Sequence, residues 1–118
     1  MLHKELFGTK YPIICVPMNQ ASDVNLAAAI HNAGAFSSIS AVLFHRERQM
    51  DYDVAAADLS KFQDLTGSTN TLLGLTWNEM LDKQFLELLN NLNFKNIEVY
   101  NLKKDHPKWP EIEKTIIE

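Results

Sequence analysis

Short apolar runs rich in β-branched residues alternate along this chain with stretches whose apolar residues recur at helical spacing. That alternation constrains the fold more than any other feature, because strand, helix, strand, helix is the pattern of parallel strands joined by crossover helices. Tyr11-Pro12-Ile13-Ile14-Cys15-Val16-Pro17-Met18 reads as a strand buried on both faces. Ser22 and Asp23 offer N-cap oxygens for a helix with Leu26, Ile30 and Ala33 on one stripe, and Gly34 stops it. The second strand is expected near 36–42. A polar stretch from Phe44 to Tyr52 comes next, read as a loop or ragged helical turn. Asp53 is then placed to cap a helix with an Ala55, Leu59, Phe62 stripe ending at Gly67.

The third strand is expected near 71–77, and Phe85, Leu88, Leu89 and Leu92 behind Asp82 predict the clearest helix of the chain. A fourth strand near 96–101 and a helix opened by Pro110 complete four β/α units. Doubly wound sheets and (β/α)8 barrels both fit this pattern.

The 118 residues, 46% hydrophobic and 22% charged, have the makeup of one ordinary globular domain with a real core. A net charge of -4 argues against nucleic acid, which needs clustered Lys and Arg. The longest apolar run, Pro12 to Met18, is too short to cross a bilayer, and the start of the chain has no signal-like apolar region, so a soluble cytoplasmic protein is expected. The lone Cys15 excludes an intrachain disulfide and reads as inert packing.

No glycine-rich phosphate loop succeeds the first strand, where Asn19-Gln20-Ala21-Ser22 stands instead. Thr66-Gly67-Ser68-Thr69-Asn70-Thr71 has phosphate-loop composition but sits between a helix and the next strand, which makes it a helix stop. The four histidines, His3, His31, His45 and His106, lack metal-ligand spacing, so no metal site is expected. His31 reads as a surface or helix-end residue. His45 and His106 fall in loops after strands, where a ligand contact is conceivable. His45-Arg46-Glu47-Arg48 reads first as a solvated loop with internal charge pairing and second as an anion contact.

Three stretches together resemble a known family. Gly8-Thr9-Lys10-Tyr11-Pro12-Ile13-Ile14 leading to Pro17-Met18, then Leu26-Ala27-Ala28-Ala29-Ile30-His31-Asn32-Ala33-Gly34, then Gly74-Leu75-Thr76, are similar to the opening of the nitronate monooxygenase (2-nitropropane dioxygenase-like) family. The resemblance implies an FMN-binding (β/α)8 TIM barrel, of which residues 1–118 would be the N-terminal half with a parallel sheet. It implies cofactor contacts at Pro17, Met18 and Thr76, although the family usually has asparagine where Thr76 stands. It implies oxidation of nitronates with O2 on a small-molecule substrate. The catalytic histidine and phosphate loops would lie in the later half of such a barrel, so the chain alone is expected to hold FMN weakly or not at all and to lack catalytic residues of its own.

Two alternatives stay open at this point: a related FMN-dependent enoyl reductase, and a non-catalytic half-barrel acting as a scaffold or oligomerising domain. In either half-barrel the outer strands leave unpaired edges that favour self-association. Ile14 or Cys15, Ile39, and Leu73 or Leu75 are expected to face the barrel interior.

Overall fold

The computed structural model describes residues 8–17, 23–99 and 107–110. Helix α1 (Val24–Asn32) starts where the Asp23 carboxylate accepts from the Leu26 N–H at 2.8 Å. Strand β1 (Ser38–Ser40) comes next, then a 3-10 turn (Ala41–Phe44) and a small antiparallel hairpin, β2 (His45–Arg46) and β3 (Gln49–Met50). Helix α2 (Tyr52–Thr66) leads to β4 (Leu72–Leu75), and the short α3 (Trp77–Met80) and α4 (Lys83–Asn91) lead to β5 (Asn96–Val99).

The main sheet is parallel, in the order β1-β4-β5, with Ser38 opposite Leu72 and Leu72 opposite Asn96. Before β1, the chain at Ile14 makes a parallel bridge to Phe36, carried by Phe36 N–H to Ile13 and Cys15 N–H to Phe36. Each segment is therefore laid beside the one before it, without a reversal of order. The chain is an α/β domain with a small parallel sheet, as the alternation of elements implied.

One core joins the sheet to the helices. Ile39, Leu73 and Leu75 are fully buried together with Ala27 and Ala28 of α1, Ala55, Leu59 and Phe62 of α2, and Phe85 and Leu89 of α4. These strand residues belong to the helix-packed core, which corrects the expectation that they face an open barrel interior. The neighbouring row, Ser38 beside Leu72 and Ser40 beside Gly74, lies on the opposite side of the pleat.

Several expected boundaries move. Among its described residues, 12–17, the run expected at 12–18 forms only the Ile14 bridge, and Tyr11, Ile13, Ile14 and Val16 are exposed, so these residues are not a strand buried on both faces. The second strand is shorter than 36–42 because the chain tightens into the 3-10 turn at Ala41, and the expected loop after it is a hairpin. The third strand stops at Leu75 because Thr76 begins a helical turn. The fourth spans 96–99 among the described residues, and the helix expected after Pro110 lies outside them.

Helix α1 buries Val24, Ala27 and Ala28 in place of the Leu26, Ile30, Ala33 stripe, and Leu26 is exposed. Alanine carries no bulk past Cβ, so that face lets α1 lie close against α2. Helix α2 is capped by Asp51 and not by Asp53, which sits in its first turn. Gly67 ends it in the left-handed region, φ 68, with its N–H on Gln63; the phosphate-loop-like stretch is a helix stop, as its position indicated.

Candidate functional site

Parallel α/β sheets present their ligand sites at the carboxyl ends of the strands, where loops leave the sheet. At that end a cleft of about 600 Å³ opens between the segment leaving β1 and the segment leaving β4. Val42, His45, Arg48, Gln49 and Met50 come from the 3-10 turn and hairpin; Thr76, Asn78, Glu79 and Asp82 come from α3 and its flanks; Tyr52 opens α2.

The wall on the β4 side is built by one local device. Thr76-Trp77-Asn78-Glu79 has the Thr-x-x-Glu spacing of a capping box. Accordingly the Thr76 N–H donates to Glu79 Oε2 at 3.0 Å, and the Thr76 hydroxyl donates to the same oxygen. This holds Glu79 almost wholly buried, at 3% exposure. Its other oxygen, Oε1, lies 3.2 Å from His45 Nε2, an ion-pair distance that falls outside hydrogen-bond alignment. His45 itself is 22% exposed in its side chain and lines the cleft.

The hairpin positions His45 from the other side. Its turn, Glu47 at φ 54 and Arg48 at φ 65, puts two non-glycine residues in the left-handed region, the backbone of a type I′ turn that Asn-Gly usually supplies. Strain of this kind tends to persist where the surroundings enforce it, often at sites of function. Arg46 does not pair with Glu47; its guanidinium donates to the Leu43 and His45 carbonyls at 2.9 and 2.8 Å. The charge pairing expected within 45–48 is therefore replaced by braced backbone on one side and His45 with Glu79 on the other.

At the rim, the Tyr52 hydroxyl donates to Asp82 Oδ2 at 2.7 Å, while Asp82 Oδ1 accepts from the Phe85 N–H and caps α4. The hydrogen bond to Asp82, burial and the nearby carboxylate charge together raise the Tyr52 pKa above its ordinary 10.0.

Of the expected contacts, Thr76 lines the cleft. Pro17 is half-buried and is not among the described residues that line it, and Met18 lies outside the described residues. His31 stands in the last turn of α1, the helix-end position expected of it, and is half-buried, packing edge-on against Phe62 at 5.7 Å with Nδ1 buried and unbonded. His3 and His106 lie outside the described residues. Glu79, Tyr52 and Asp82 were not expected in a site. The Thr-x-x-Glu spacing is a signal that could have found Glu79, whereas nothing local marks the pairing of His45 with a residue on the next unit. The chain matches no protein-family model, and it matches no curated protein.

Proposed function

We propose that the chain is part of a flavin-dependent (β/α)8 oxidoreductase of the nitronate monooxygenase type, with the ligand cleft between His45 and Thr76 at its catalytic end. The observation that carries this reading is a polar cleft at the carboxyl ends of parallel strands wound in one direction, with Thr76 on its wall. Sequential strand order is what a barrel requires, whereas a doubly wound sheet reverses order at its binding site. The resemblance of residues 8–14 leading to Pro17-Met18, of 26–34 and of 74–76 adds the flavin.

The described residues fit the ring of such a cofactor better than its phosphate. Gln49 and Asn78 offer neutral polar groups, and the volume lies in the range of small-molecule pockets. Phosphate would meet the carboxylates of Glu79 and Asp82, with Arg48 as its guanidinium partner. When bound, flavin would supply the redox chemistry for oxidising a nitronate with O2. The chain's share is to hold and orient the ring.

Titrating the purified chain against FMN and against riboflavin, with flavin fluorescence as the readout, tests this. Weak, saturable quenching of both is expected, with similar strength because the ring carries the contact. Flavin fluorescence unchanged at the highest attainable protein concentration overturns it.

A further inference from the structure

We infer that His45 and Glu79 form a proton-transfer couple acting on a small organic anion with an acidic C–H beside a carbonyl, the simplest class being 2-oxo carboxylates. The couple rests on the cleft being a ligand site, as the flavin reading does, but it needs no flavin.

Glu79 faces Nε2 of His45 from a buried position fixed by two hydrogen bonds from Thr76, which leaves Nδ1 as the nitrogen for a ligand. A carboxylate held against one imidazole nitrogen stabilises the cation formed when the other takes a proton. Thr76 spends its hydroxyl proton on Glu79, so it orients that carboxylate and donates nothing to the ligand. Arg48, exposed on the same cleft with its backbone in the left-handed turn, supplies the positive charge that a carboxylate or a developing enolate requires. Tyr52 cannot serve as the base, since its proton is held by Asp82. Gln49 and Asn78 are neutral, and the cleft's second carboxylate, Asp82, is held at the rim with its oxygens taken by the Tyr52 hydroxyl and the Phe85 N–H.

In the step itself, His45 Nδ1 takes the proton as the substrate C–H bond breaks. The electron pair moves into the adjoining C–C bond and the carbonyl oxygen becomes an enolate beside Arg48. Reversal returns either the same proton or one exchanged with solvent, and no electrons leave the substrate. His45 is the catalytic base and Glu79 a positioning residue.

Exchange of the pyruvate methyl protons for deuterium, monitored by proton NMR in D2O without flavin, reads this step. The chain should accelerate exchange about a hundredfold relative to its His45→Gln variant, the scale of general base catalysis. Arg48→Gln should raise the pyruvate concentration at half-saturation and also lower the maximal rate, since the same charge faces the developing enolate. Glu79→Gln should lower the maximal rate and leave half-saturation, a split that general loosening of the fold would not give; circular dichroism confirms that each variant is folded. Equal exchange by the chain and His45→Gln overturns the inference. Flavin binding without exchange sinks the couple alone, and exchange without flavin binding sinks the flavin reading alone.

Discussion

Tyr52 and Asp82 lie 30 positions apart in sequence, yet one proton between them fixes the rim of the cleft. A phenolate there would lose the bond to Asp82 and face its charge, so the folded protein holds this proton more tightly than the unfolded chain does. The contribution is therefore complete below the ordinary tyrosine pKa of 10.0 and is lost as pH rises through the higher folded value. Tyr52→Phe should cost about 1 kcal/mol in urea unfolding at neutral pH, and the gap from the parent chain should close as the pH is taken above that range. A gap that does not change with alkaline pH would mean the hydroxyl is not the source of the loss. At this scale the sequence marks what is local. Asp23 and Asp82 are legible as caps, and Thr76 with Glu79 by spacing, whereas His45 meets Glu79 only because the end of β1 and the end of β4 are neighbours in the sheet.

Helix α4 shows an element that its pattern specifies fully. Asp82 caps it and Phe85 and Leu89 are buried, with the Phe85 ring 6.2 Å from that of Phe44. Leu89→Ala should cost roughly 2 to 5 kcal/mol through lost burial and the space left behind. Asn90, exposed, should tolerate alanine with little change, and thermal unfolding of the two variants compares them. Similar losses from both would show that the helix sits in another phase. Helix α1 was less legible because two faces compete: Leu26 and Ile30 have more apolar surface, but the alanines permit the closer approach to α2, and close approach wins. Strand ends were over-extended for a related reason. Apolar character continues past Ile39 and Leu75, but a 3-10 turn and a capped helical turn satisfy the backbone there in place of a ladder.

Across the whole molecule, the parallel direction of the strands was legible from alternation, since parallel neighbours need a crossover between them, whereas their order in the sheet was not. The surface left at the sheet margin was legible only in part. Tyr11, Ile13, Ile14 and Val16 at one margin and Ile97 at the other are exposed apolar side chains, with Ile13 59% and Val16 61% accessible. We propose that the chain associates with itself through these margins, because strand edges and apolar surface both favour pairing. In sedimentation velocity the mean sedimentation coefficient should rise with concentration, and Ile13→Lys with Val16→Lys should suppress the rise; a monomer at every concentration overturns it. Asp82 carries a different consequence. By serving α4 and Tyr52 at once, it makes the unit that opens with β4 and the unit that closes with α2 share a seam, so the two are not freely interchangeable parts. A chimera that imported either unit from another protein would have to import both ends of that seam, or lose a helix start and a cleft wall with a single mismatch.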